Sequence, residues 1–378
     1  MQKLMIFITL FVYGSIISQT THDFFDSERL GKRELKVQLP RNYEKNTDKF
    51  YPLIIVLDGD YLFEPIAGCS DYTAYWGDMP DVIVVGINQA TTRQKDLTIS
   101  DEDFFPIFDG ARFYEFIGAE LVPHMYENYR VNDFKVVVGH GDSANFINFL
   151  IFKNPPLFKA YISISPNVSS FMGKNLIDRL SSLKSPLFYY LSTAEEDLRG
   201  NYKQILDLNN ELVKISNEDF YYSFDNFKDF NHYSLVPSSV GEALHHIFSV
   251  FRPISKSEYK SNIVNLDSSP VDYLKKKYAI IEDLFGVQKR ILLNDFKAIA
   301  SAIKKNQRFE YFKGLAKLAR DNYPNSLLSS FYMGRHYEGI GNTRKAIKAY
   351  QEGFIFDEID GITKQDLLDR ADQLKREN

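Results

Sequence analysis

The chain is poor in cysteine: Cys69 is the only one in 378 residues, so no internal disulfide forms and packing alone must hold the fold. It lacks a basic balance, since 45 Lys and Arg against 50 Asp and Glu give a formal net charge of −5. Without a positive field there is nothing to hold a phosphate backbone, which sets nucleic acid aside as a partner. The run Lys275-Lys276-Lys277 reads as a solvated helix face. No G-x-x-x-x-G-K-[ST] phosphate loop occurs, no Cys/His spacing suits zinc, and the adjacent His245 and His246 point different ways on a helix; neither metal nor cofactor is expected. Past the first residues no run is long and apolar enough to span a bilayer. What is abundant is core material, 44% hydrophobic and 15% aromatic residues, enough for two domains.

The N-terminus carries Lys3, an apolar stretch from Leu4 to Ile17, and small Ser18 before polar Gln19. This is a signal-peptide pattern over 1–19, too short for a comfortable span. No cysteine follows it, so a lipoprotein-type anchor is not supported. Export without disulfides suits a bacterial periplasm or cell surface.

From 22 to 253 strands alternate with helices. LKVQLP (35–40), YPLIIVLDGD (51–60), DVIVVGIN (81–88), KVVVGH (135–140), KAYISISP (159–166) and PLFYYLS (186–192) read as strands, several apolar on consecutive residues as in a sheet covered on both faces. Helical spacing appears at 110–129, 144–154, 202–216 and 240–251. The fold class is therefore α/β, a mostly parallel sheet with helices on both faces. The aromatic stretch Phe220 to Phe230 alternates in part like an edge strand. A polar connector (254–270) follows, then an all-α region (271–378) with helices expected at 271–285, 294–306, 308–322, 326–340, 343–356 and 363–375. Within it Gly334, Tyr337, Gly341, Ala346, Tyr350 and Gly353 fall at the large and small positions of a tetratricopeptide unit.

The stretch FKVVVGHGDSANFINFL (134–150) reads as strand, sharp turn, helix. That is the setting of a G-x-S-x-G nucleophile elbow, here written Gly139-His140-Gly141-Asp142-Ser143. With YPLIIVLDGDYLF (51–63), VIVVGINQATTRQKDLT (82–98), GARFYEFIGAELVPHMYENYR (110–130) and LFKAYISISPNV (157–168), the chain resembles the esterase D-like, enterochelin-esterase-type branch of the α/β-hydrolases over roughly 30–250. The resemblance implies a triad acid just beyond PLFYYLS, at Glu196 within AEED with Glu195 and Asp197 as substitutes, and a base at His232 in NHYSLVP, with Ser234 beside it. It also implies an oxyanion side formed around Gly59, Asp60 and Tyr61 and by Asp142, the residue after the nucleophile position.

The nucleophile position itself is Gly141, which has no hydroxyl to deprotonate. Removing the serine of a protease triad costs on the order of a millionfold in turnover. Ser143, two residues past the tip, should point elsewhere, and the Asp142 carboxylate would oppose an oxyanion unless it turns away. Glycine in turn relieves a strained backbone that costs roughly 1–3 kcal/mol with a side chain. The expectation is an exported pseudoenzyme that binds or assembles in the cell envelope, with a protein partner on its helical tail and a small ester-like ligand as a further candidate. The alternative is a hydrolase of acyl or siderophore-type carboxylic esters, using water activated by His232 or an unrecognised nucleophile.

Overall fold

The computed structural model describes residues 19–100, 102 and 105–377; the leader expected over 1–19 lies, except for Gln19, outside them. Eight strands form one sheet: β1 (Thr20–Ser27), β2 (Gly31–Gln38), β3 (Tyr51–Val56), β4 (Ile83–Ile87), β5 (Val131–His140), β6 (Ala160–Ile164), β7 (Leu187–Glu196) and β8 (Phe220–Asn231). Their order is β1-β2-β4-β3-β5-β6-β7-β8. β1 and β2 are antiparallel, β2 joins β4 antiparallel, and all pairs from β4 to β8 are parallel.

Consecutive apolar residues in the central strands serve two cores. Ile54, Val56, Val136, Val138 and Ile162 face one side, where helices Phe63–Tyr75 and Leu235–Ile247 lie. Leu53, Ile55, Val137, Tyr161 and Tyr189 face the other, covered by helical residues within 108–128, 142–152, Ser170–Ser181 and Arg199–Leu212. This period-2 partition accounts for the uninterrupted apolar runs, since each face is buried under helices.

Three of the longer elements escaped the sequence pattern. β1 (TTHDFFDS) is mostly exposed and pairs only at the edge, so it shows no buried alternation; Ser170–Ser181 begins where Ser169 caps the amide of Met172; and helix Phe63–Tyr75 begins at the last residue of the stretch 51–63. The Phe220 to Phe230 stretch is an edge strand, β8.

The C-terminal helices are not held off by a bare connector. Within 254–270, Ser255 caps Lys256–Glu258, a π-helical turn follows at Tyr259–Ile263, and Ile263 is buried. Phe285, at the end of Pro270–Phe285, packs 4.9 Å from Phe134 and 5.3 Å from Phe248, ring centre to ring centre. One hydrophobic core thus runs from the sheet into the helical region. Farther on, Leu328–Gly339 and Thr343–Glu352 approach so closely that a Cβ on Gly334 would stand 2.2 Å from Tyr350 Cε1.

Parallel register places the site. His140, Ile164 and Ser192 are side by side on β5, β6 and β7, so the residues after them emerge at one edge of the sheet. The chain reverses direction across β3, which lies between β4 and β5, and the carboxyl ends of strands at such a switch point form a crevice.

Candidate active site

At the end of β5 the backbone turns into the short helix Asp142–Phe146 through Gly141, whose φ of 65° and ψ of −121° strain any residue with a side chain. Gly139 is needed for a different reason: a Cβ there would sit 2.5 Å from the carbonyl carbon of Ser143, where helix and strand meet. The Gly141 amide donates to the Ile164 carbonyl at 3.0 Å, and its carbonyl accepts from Asn145 at 3.2 Å, which fixes the turn.

His232 follows β8 and faces the tip. A Cβ at Gly141 would stand 3.6 Å from His232 Nε2, in ordinary van der Waals contact. On the other side of the ring, Nδ1 lies 2.8 Å from Asp197 Oδ1 and 2.8 Å from Ser165 Oγ. With the proton on Nδ1, Nε2 turns its lone pair toward Gly141. Asp197 also accepts from Ser165 Oγ at 2.9 Å, Thr193 Oγ1 at 2.7 Å and the Leu198 amide at 2.8 Å. Burial alone would raise its pKa, but the bonds from His232, Ser165 and Thr193 hold it below the ordinary aspartate value.

The acid beside His232 is therefore Asp197, and the assignment to Glu196 is corrected. β7 continues through Glu196, which pairs with Asn231, and both Glu195 and Glu196 are exposed. Beyond the strand the Asp197 amide turns back to the Ala194 carbonyl at 3.0 Å, and its carboxylate enters the site. Ser234 does not join it; its Oγ accepts from the Asn231 amide at 2.9 Å.

Ser143 is buried and committed elsewhere: its hydroxyl donates to Asp58 Oδ2 at 2.7 Å and accepts from the His140 amide at 2.9 Å. Asp58 organises this floor. It is fully buried and also takes Arg93 Nε at 2.8 Å on Oδ1 and Arg93 Nη2 at 3.2 Å on Oδ2. Burial works against the Arg93 charge, but the Asp58 carboxylate outweighs it and the pKa rises. Asp142 turns away from the tip: its carboxylate takes Arg93 Nη1 at 3.2 Å and Asn167 Nδ2 at 3.1 Å.

The oxyanion side differs from expectation at two residues. Gly59 donates its amide to the Ile87 carbonyl at 2.8 Å and packs on the Gly86 backbone, so it faces β4. Asp60 uses its carboxylate to cap the Gln89 amide at 3.1 Å. Tyr61 does reach the site, its hydroxyl 3.1 Å from both Asp58 Oδ2 and His140 Nδ1. His140 Nε2 donates to the His232 carbonyl at 2.9 Å, and burial, then the neighbouring His232, lowers the His140 pKa to about 4. The whole opens as a cleft of about 440 Å³ lined by Tyr61, Arg93, Gly141, Asn167, Leu198 and Tyr233.

Sequence reasoning missed Arg93, Asn167 and Ser165 as site residues. Arg93 lies in the quoted loop after β4, but its partner Asp58 is 35 residues away and nothing local marks the pair. Ser165 fell inside the strand read over 159–166; the structure ends β6 at Ile164 and gives Ser165 a φ of 45°. Among the described residues no group of His, Cys, Asp and Glu is arranged to hold a metal ion.

Residues 27–214 match the esterase family model, described as "Putative esterase". No curated protein matches the chain. An uncharacterised protein from Capnocytophaga ochracea is 30% identical, with a TM-score of 0.85 over 95% of this chain and 100% of its own. An IroE-like serine hydrolase from Shewanella oneidensis (20% identity, TM-score 0.60, 80% of this chain and 99% of that one) shares the fold. So does the BES protein from Bacillus cereus (22%, TM-score 0.54, 65% and 97%). The chain belongs to the family represented along its length by the Capnocytophaga protein, with the esterase-type α/β-hydrolase fold.

Proposed function

We propose that this chain is an exported esterase-fold pseudoenzyme that works by binding, its cleft open to a small ester-like ligand and its tetratricopeptide-like C-terminal helices available to a protein partner in the cell envelope. One observation carries the reading. The residue facing His232 Nε2 is Gly141, and the nearest serine in the elbow, Ser143, is locked onto buried Asp58. An acyl-enzyme has no oxygen from which to form. Hydrolysis of short p-nitrophenyl esters and of a catecholate siderophore ester by the purified protein should stay at the buffer rate; turnover at serine-enzyme rates that disappears in His232→Ala defeats the proposal.

The intact His232–Asp197 pair favours a second reading, in which His232 Nε2 takes a proton from water that attacks an ester directly. The proton moves to His232, the water oxygen adds to the acyl carbon, and the alcohol leaves with a proton. Such turnover would be insensitive to fluorophosphonate and abolished by His232→Ala, and that pair of results separates it from binding alone.

A further inference from the structure

His232 is only 8% exposed, yet its Nε2 has no hydrogen-bond partner among the described residues and faces Gly141 across the cleft. The protonation of the ring follows from its other side. Ser165 has a single hydroxyl hydrogen, which goes to Asp197 Oδ1 at 2.9 Å, so both groups 2.8 Å from Nδ1 act as acceptors and Nδ1 holds the proton. Nε2 therefore presents a lone pair to the cleft, and what meets it there must donate.

The other polar atoms of the cleft point to the same need. Four of the five Arg93 N–H groups are committed, to Asp58, to Asp142 and to the His140 carbonyl. Asn167 and Asn201 each give an amide N–H away, to Asp142 and to the Ser165 carbonyl, while no described group donates to their side-chain oxygens. Uncommitted acceptors thus outnumber uncommitted donors. An ester group or a carboxylate brings acceptors alone and has no hydrogen for Nε2. An ammonium has one, but Arg93 Nη2 stands 3.8 Å from where a Gly141 Cβ would be and sets a like charge beside it. A hydroxyl meets both neighbours, donating to Nε2 and turning its own lone pairs toward the guanidinium. Beyond that point the exposed side chains of Tyr61, Leu198 and Tyr233 line the walls, which suits an apolar body.

We propose that the cleft holds an uncharged alcohol with an apolar body, whose hydroxyl lies against the bare Cα of Gly141 and donates to His232 Nε2, the role that a serine at the elbow would fill from within the chain. The inference rests on the reading of the cleft as a binding site and names the group that the ligand presents there: an ester-like ligand meets His232 through a hydroxyl and not through its ester oxygens.

The test is a titration of the full chain, labelled with ¹⁵N-histidine, with four probes of one shape: benzyl alcohol, benzyl methyl ether, benzoate and benzylamine. The imidazole nitrogen signals that vanish in His232→Gln belong to His232. Benzyl alcohol should move the unprotonated nitrogen saturably, and each of the other three should bind roughly five- to tenfold more weakly. Gly141→Ser, which offers Nε2 a hydroxyl of its own, should weaken benzyl alcohol by a similar factor. An ether that binds as tightly as the alcohol overturns the proposal, and tighter binding of benzoate or benzylamine overturns it in favour of an anion or cation site. A His232 nitrogen that no probe moves, or benzyl alcohol binding unchanged in a folded Gly141→Ser protein, overturns it as well. Any of these results with ester hydrolysis still at the buffer rate leaves the binding reading standing; hydrolysis at serine-enzyme rates defeats that reading whatever the probe series shows.

Discussion

Restoring a hydroxyl at the elbow is the most informative perturbation. In Gly141→Ser the new Cβ stands 3.6 Å from His232 Nε2 and 3.8 Å from Arg93 Nη2, so it fits without displacing either. One rotamer brings Oγ within hydrogen-bond reach of Nε2, with Asp197 already 2.8 Å from Nδ1. The backbone, at φ 65° and ψ −121°, makes the substitution cost roughly 1–3 kcal/mol. That lowers the melting temperature by a few degrees. Loss of a triad serine costs on the order of 10⁶ in turnover, and loss of one oxyanion donor on the order of 10²–10³. Gly59 does not offer its amide to this site, so the recovered esterase activity should be on the order of 10³ over wild type rather than the full factor. The assay is p-nitrophenyl butyrate hydrolysis combined with fluorophosphonate labelling and peptide mapping to residue 141. A folded Gly141→Ser protein that neither labels nor gains turnover would refute the triad geometry.

In the Gly141→Ser background, Asp197→Asn should cut turnover by up to about 10⁴, while Glu196→Gln leaves it unchanged; the reverse order would restore Glu196 as the acid. Burial keeps His140 neutral, with a folded pKa of about 4 below the ordinary histidine value. Its unfolded form therefore binds a proton first, and stability fully present above about pH 6.5 is lost as pH falls toward 4, by up to about 3 kcal/mol. Urea melts should show this slope in wild type and a flatter one in His140→Gln. Gly334→Ala drives a Cβ to 2.2 Å from Tyr350 and should destabilise by about 1–3 kcal/mol in the same melts. Gly68→Ala, on a helix with nothing within 4 Å, should be neutral or stabilising.

The central strands were legible because they are apolar on consecutive residues, a pattern that only two-sided burial produces, and the C-terminal helices because Pro270, Gly286 and Asn342 mark their ends. β1 was not legible: an exposed edge strand has no buried face to impose a period. At the site, Gly141 followed from the elbow pattern, and His232 from the family resemblance, whose His-x-Ser context NHYSLVP matches. Choosing among Glu195, Glu196 and Asp197 required knowing where β7 stops, and one residue of register reverses which side chain points inward. The Asp58 floor, tying Ser143, Tyr61 and Arg93 across as many as 85 residues, leaves no local pattern at all.

The most direct measurement is intact-mass analysis of the wild-type protein after exposure to a fluorophosphonate probe. A chain whose elbow presents Gly141 to His232, and whose Ser143 is bound to Asp58, should keep its unmodified mass. A stoichiometric phosphonyl adduct on Ser143, Ser165 or any other serine of the cleft would contradict the account.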